Sequence, residues 1–113
     1  MHEYSITQSM LSLAVEKASE AKASKITRIN LVLGELSGIV DECVKFHFDF
    51  LSKDTIADGA GLSFTRIATR VRCLNCEQVF LPKNYDWSCT NCHGAGIEII
   101  SGRECYVESI EVE

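Results

Sequence analysis

Two C-x-x-C pairs, "CLNC" and "CTNC", constrain the fold of this 113-residue chain more than any other feature of its sequence. Two thiolates three positions apart can bind one metal ion from a single tight turn, and a second such turn, brought up by a hairpin, completes a tetrahedron. Zinc favours a closed four-sulfur set of this kind. The sequence therefore predicts a structural zinc site with four ligands, Cys73, Cys76, Cys89 and Cys92.

The segment that carries the two pairs is predicted to be an inserted zinc-binding domain of residues 71–97, similar to a zinc ribbon. An insert this small has too little core to fold alone, so metal binding would supply much of its folding free energy, on the order of 10 kcal/mol. The apolar residues expected to cover the metal are Val79, Phe80, Leu81 and Trp87.

Other interpretations of the cysteines are weaker. "CTNCH" matches a haem-attachment pattern with His93 as axial ligand, but it would leave "CLNC" without a role and would require export. The sequence shows no signal peptide, which favours a cytoplasmic location. His93 is interpreted as solvent-facing or as a donor to a zinc-bound sulfur, with replacement of a thiolate ligand as the alternative. Cys43 and Cys105 are predicted to be small, buried apolar residues.

The rest of the chain predicts an α+β fold: a small mixed β-sheet with two helices, plus the inserted zinc-ribbon-like domain. Apolar residues at helical spacing predict helices over residues 3–22 and 41–52. One strand is predicted around residues 25–35, and a second over residues 62–73, with a bulge or a change of core where its alternation switches. A final hairpin is predicted around the turn "SGRE". Residues 1–70 and 98–113 would form the main α/β domain.

Composition removes several classes of function. The formal net charge of -5 argues against nucleic-acid binding, which usually requires a basic surface. No apolar run approaches the roughly 20 residues that span a bilayer. The sequence contains no identifiable nucleophile–base set and no phosphate-binding glycine loop, and His47 is assigned to a core or boundary position. The chain is therefore predicted not to be an enzyme.

The first residues, "MHE", offer a second metal site. The terminal amine of Met1, the backbone amide of His2 and its imidazole would close adjacent chelate rings around one metal ion. The amide of Glu3 is the next nitrogen along the chain. Planar nitrogen-rich sets suit Ni(II) or Cu(II). The reference pKa values, about 7.7–8.0 for the amine and about 6.5 for the imidazole, allow both protons to leave near neutral pH. The simpler alternative is a helix start at which Glu3 favours the helix dipole.

Together, "MHE", the first amphipathic helix, "LVLGELSGI" and the two C-x-x-C pairs resemble the HypA/HybF family, nickel metallochaperones for maturation of [NiFe]-hydrogenase. The resemblance covers essentially the whole chain. It implies that Ni(II) is transient cargo bound at Met1, His2 and Glu3, and that Zn(II) is structural. Some members use an additional acidic nickel ligand, for which Asp41 is the nearest candidate, although Asp41 as cap of the second helix is the favoured interpretation.

The resemblance also implies partners. These are a GTPase nickel chaperone of the HypB type and the hydrogenase large subunit, with urease maturation proteins and a second copy of the chain as further candidates; neither nucleic acid nor membrane is expected. Two rival functions stay open at the level of sequence. One is a zinc-ribbon module that binds protein or nucleic acid, in which "MHE" would have no role, and the other is a thiol oxidoreductase.

Overall fold

A computed structural model describes residues 2–83 and 86–113, apart from the side chain of His2. The helices are α1 (His2–Glu20) and α2 (Asp41–Leu51), and a 3-10 turn (Glu35–Ser37) precedes α2. The strands, in chain order, are β1 (Ile26–Gly34), β2 (Gly61–Ile67), β3 (Arg70–Cys73), β4 (Val79–Phe80), β5 (Ile97–Ser101) and β6 (Cys105–Val112). This arrangement confirms the predicted α+β class.

The chain forms two compact units. The helical unit contains Met1–Val32, Ile39–Thr65 and Cys105–Glu113, and the cysteine unit contains Leu33–Gly38 and Arg66–Glu104. In the part of the chain that the structure describes, no helix combines the length and apolar character needed to cross a membrane.

The helical unit packs α1 and α2 together beside a three-stranded sheet of order β2-β1-β6. The Ser24 amide donates to the Glu113 carbonyl (2.9 Å), and the Thr27 hydroxyl donates to the Glu111 carbonyl (3.1 Å), so β6 runs antiparallel to β1. The core combines residues of both helices with buried residues of β1. It includes Met10, Ala14, Ala18, Ile26, Ile29, Leu31, Val44 and Phe48.

The buried face of α1 is rotated from the apolar face that helical spacing predicts, which consists of Ile6, Met10, Leu13, Ala14, Ala18 and Ala21. Leu13 is 40% exposed, whereas Leu11 and Thr7 are buried. Thr7 tolerates burial because its hydroxyl donates to the Glu3 carbonyl one turn earlier (2.5 Å), which satisfies the polar group within the helix. Helical spacing therefore predicts that an apolar face exists, but a polar residue with a local partner can share that face.

Two strand predictions need correction, although the change of core predicted within residues 62–73 is confirmed. The segment from Leu62 to Cys73 is not one strand, because β2 belongs to the sheet of the helical unit and β3 to a second sheet of order β4-β3-β5. The change of alternation in this segment marks that transfer. The predicted final hairpin is also absent from the described sheets, since β5 pairs with β3 while β6 lies beside β1.

The cysteine unit is built on its central strand, β3. Val71 pairs with Phe80 of β4 and with Ile99 of β5, both antiparallel. Val71 and Cys73 are fully buried and alternate with exposed arginines, as expected for a strand with one buried face. Arg72 forms an ion pair with Glu98, which lies opposite it on β5. The alternation directs Cys73 into the interior of the unit.

Within the cysteine unit, the backbone at Gly34 and the backbone at Gly102 lie so close together that only glycine fits at position 34. A Cβ atom at Gly34 would lie 2.1 Å from the carbonyl oxygen of Gly102, well inside van der Waals contact. The Gly34 amide donates to the Glu104 carbonyl (2.7 Å) at the same place. Gly34 therefore fixes the backbone contact between the "GELSG" segment and the turn before β6.

We predict that Gly34→Ala destabilises the cysteine unit by about 1–3 kcal/mol, the usual cost of overpacking. Chemical unfolding of the zinc-loaded protein, followed by fluorescence of the single tryptophan, Trp87, measures this directly. The matched control is Gly96→Ala, whose new Cβ would meet Leu74 at an ordinary 3.8 Å. Equal unfolding midpoints for the two variants would contradict the close contact at Gly34.

Candidate metal centre

The four predicted ligand sulfurs lie together. The Sγ atoms of Cys73, Cys76, Cys89 and Cys92 are all within 4.8 Å of one another, and the Cys73–Cys92 and Cys76–Cys89 pairs are each 3.5 Å apart. Four Zn–S bonds of about 2.3 Å in a tetrahedron place sulfurs about 3.8 Å apart. The donor set and its spacing therefore fit a structural zinc ion.

Each C-x-x-C pair forms the same tight turn, here called a knuckle: residues 73–77 are the first and residues 89–93 the second. The backbone amides of Asn75 and Asn91 donate to the first sulfur of their own knuckle, at 3.4 and 3.3 Å. The fifth residues, Glu77 and His93, have φ of 66° and 60°, and their amides donate to the carbonyl of the first cysteine. The two halves of the site are thus near copies of one another.

The cluster is also the core of its unit. Cys73 and Cys89 are buried, whereas Cys76 and Cys92 are half-buried. Phe80 and Trp87 pack here, as expected, but Val79 is 38% and Leu81 52% exposed, so these two do not cover the metal as predicted. Their place is taken by apolar residues of the two longer strands, namely Val71, Ile97 and Ile99.

Hydrogen-bond donors around the two half-buried sulfurs favour the thiolate form at those two positions. The side-chain amide of Asn75, and then the backbone amide of Gly94, lower the pKa of Cys92 to about 6. The side-chain amide of Asn91 is the main cause that lowers the pKa of Cys76. Because the thiolate is the form that binds metal, this environment prepares the half-buried cysteines as ligands.

The remaining predicted site residues are not part of this cluster. Met1 and the side chain of His2 lie outside the described residues. Glu3 is half-buried in the first turn of α1. His93 is exposed and is not among the four grouped ligands.

The favoured interpretation of Asp41 needs correction. The N-cap of α2 is Val40, whose apolar side chain cannot accept a hydrogen bond, and Asp41 is the first helical residue. With Glu42, Asp41 places acidic charge in the first turn, where it interacts favourably with the helix dipole rather than capping the helix.

Both isolated cysteines are exposed rather than buried, contrary to prediction. Cys43 lies off the face of α2 that buries Val44 and Phe48, and Cys105 begins the outer strand β6. His47 is half-buried, as expected for a boundary residue, and its ring lies edge-on to Tyr4 of α1 at 5.3 Å. Sequence reasoning missed Asn75 and Asn91, although an asparagine at the same position of both knuckles was a visible signal.

We predict that Cys76→Ser lowers zinc content well below one ion per chain and removes the order of the cysteine unit, because one of four thiolates is lost. The helical signal should persist, since α1 and α2 have their own core. Cys43→Ser is the matched control and should keep its zinc, because Cys43 is exposed and outside the cluster. Elemental analysis with circular dichroism makes the comparison; full zinc in Cys76→Ser would contradict the four-thiolate site.

Comparison with known proteins gives one family. A protein-family model described as "Hydrogenase/urease nickel incorporation, metallochaperone, hypA" matches residues 1–112. The hydrogenase maturation factor HypA of Dehalococcoides mccartyi is 50% identical over 113 residues, covering 100% of this chain and 95% of the relative. The corresponding factor of Caldanaerobacter subterraneus subsp. tengcongensis is 44% identical over 114 residues, covering 100% of both chains.

Solved structures agree with this. The solution structure of the Ni metallochaperone HypA from Helicobacter pylori has a TM-score of 0.67 and 27% identity, covering 97% of this chain and 96% of that one. Family model, relatives and fold therefore converge, and the chain belongs to the HypA family of hydrogenase and urease nickel-incorporation metallochaperones.

Proposed function

We propose that this protein is a non-enzymatic nickel carrier that binds Ni(II) at its N-terminus and delivers it for maturation of [NiFe]-hydrogenase. The observation that carries the proposal is the match of the nickel-incorporation family over residues 1–112. The four-cysteine cluster supports it indirectly. Its thiolates suit a structural zinc ion, so nickel as cargo would be held by a different donor set.

The proposed nickel donors are the amine of Met1, the amide and imidazole of His2, and the amide of Glu3. Helix α1 begins at His2. Amide protons in the first turn of a helix take no part in its i→i−4 hydrogen bonds, so a metal can replace such a proton without breaking the helical ladder. The helix dipole disfavours a cation at this end, and the Glu3 carboxylate, with the ionised amides, would offset that cost.

Partners, location and domain roles follow from the same proposal. A GTPase of the HypB type would supply GTP hydrolysis, the hydrogenase large subunit would receive the metal, and urease maturation proteins are a second destination, all in the cytoplasm. The domain predicted over residues 1–70 and 98–113 would bind nickel, and the domain predicted over residues 71–97 would bind zinc; the cysteine unit of the structure extends beyond the second range, to Leu33–Gly38 and Arg66–Glu104. Asp41 is an additional candidate nickel ligand, and His93 an additional zinc ligand. A homodimer is the proposed assembly.

We predict that His2→Ala weakens nickel binding by at least about 100-fold, because even changes beyond the direct ligands cost about 10–100-fold in metal affinity. Zinc content and fold should not change, because the zinc sulfurs belong to the other unit. Ser5→Ala, an exposed change in the same part of α1, is the control. Calorimetric titration gives the affinities, and equal values for wild type and His2→Ala would refute an N-terminal site.

A few residues added before Met1 should also weaken nickel binding strongly, and higher pH should partly restore it. The extension turns the terminal amine, with a pKa of about 7.7–8.0, into a peptide amide whose proton is far harder to displace. The imidazole and Glu3 stay in place. Matched nickel titrations of native and extended protein at two pH values test this. Coincident curves would mean that side chains alone bind nickel.

A further inference from the structure

The asparagine in each knuckle reaches across to the other knuckle. The side-chain amide of Asn75 lies 3.5 Å from the Cys92 sulfur, and that of Asn91 lies 3.5 Å from the Cys76 sulfur. Both contacts lie within the distance expected for a hydrogen bond to sulfur, and they are equal. The two asparagines therefore form a reciprocal pair around the four sulfurs.

Each asparagine also contacts its own knuckle through the backbone. The Asn75 amide donates to Cys73, and the Asn91 amide donates to Cys89. The buried sulfurs thus receive backbone donors from their own turn. The half-buried sulfurs receive side-chain donors from the opposite turn.

We infer that Asn75 and Asn91 are positioning residues that join the two knuckles and protect the half-buried ligands Cys92 and Cys76 from electrophiles. A donated N–H withdraws electron density from a thiolate and is stronger than a neutral hydrogen bond. Groups that hydrogen-bond to a ligand also fix its orientation toward the metal. These two sulfurs are the accessible ones, so the donors lie where protection is needed. The inference rests on the four-thiolate site and not on nickel binding.

The crossed geometry separates this role from simple support of the turn. If Asn75 only stabilised its own turn, its loss would loosen the first knuckle and expose Cys76. If it donates across the site, its loss should expose Cys92, seventeen positions away in sequence. Loss of Asn91 should correspondingly expose Cys76 in the first knuckle.

The test uses the zinc-loaded full chain with Cys43→Ser and Cys105→Ser, so that only the cluster thiols remain. Asn75→Ala and Asn91→Ala are each treated with limiting iodoacetamide, and mass spectrometry identifies the first cysteine modified. We expect faster modification of Cys92 in the first variant and of Cys76 in the second, by about 10-fold, the factor that corresponds to the loss of one hydrogen bond to an ionised sulfur. Thr90→Ala, an exposed change within the second knuckle, should behave like the parent protein.

Asn75→Asp provides a second variant, because it keeps the size of the side chain while replacing the donor by an acceptor. It should also accelerate modification at Cys92. Acceleration confined to the altered residue's own knuckle, or unchanged rates at both half-buried sulfurs, would overturn the inference.

Discussion

The four-thiolate cluster is the interaction on which the cysteine unit depends. Among the residues that the structure describes, the buried members of this unit's hydrophobic cluster are Val71, Cys73, Phe80 and Cys89, and the two cysteines are themselves proposed metal ligands. Strand β4 is only two residues long. A core this small cannot offset the conformational entropy of ordering the surrounding chain, so metal binding and folding of this unit should be one event.

The helical unit has no such dependence. Ala14 and Ala18 are fully buried and allow close packing in its interior, where Val44, Phe48 and the inward residues of β1 complete a conventional core. A chaperone must release its cargo, so a fold that needed nickel for its own stability would oppose delivery. In the proposed arrangement, zinc stabilises one unit and nickel binds at the terminus of the other, so this conflict does not arise. Ligand chemistry would enforce the proposed division, because thiolates suit zinc and nitrogen-rich sets suit nickel.

Local features of the fold were predictable from sequence, whereas contacts between residues far apart in the chain were not. The knuckles follow from spacing because both ends of each turn lie within five residues. The second helix was located to within one residue and the first to within two, since periodicity reports an apolar face directly. Alternation identified β5 and β6 as strands but not their neighbours, because a strand's own pattern does not name its pairing partner. The burial of Cys43 was wrongly predicted because residue type predicts burial only on average. The crossed contacts of Asn75 and Asn91 could not be predicted, because they depend on how the two knuckles pack against each other.

The central claim is that two metals occupy two chemically different sites in one chain. X-ray absorption at the zinc and nickel edges of one sample, loaded with both metals and bearing a native Met1, tests it most directly. The account predicts four sulfur neighbours around zinc at about 2.3 Å, and only nitrogen and oxygen neighbours around nickel. Sulfur in the nickel shell, or a zinc shell that loses sulfur when nickel is added, would contradict it.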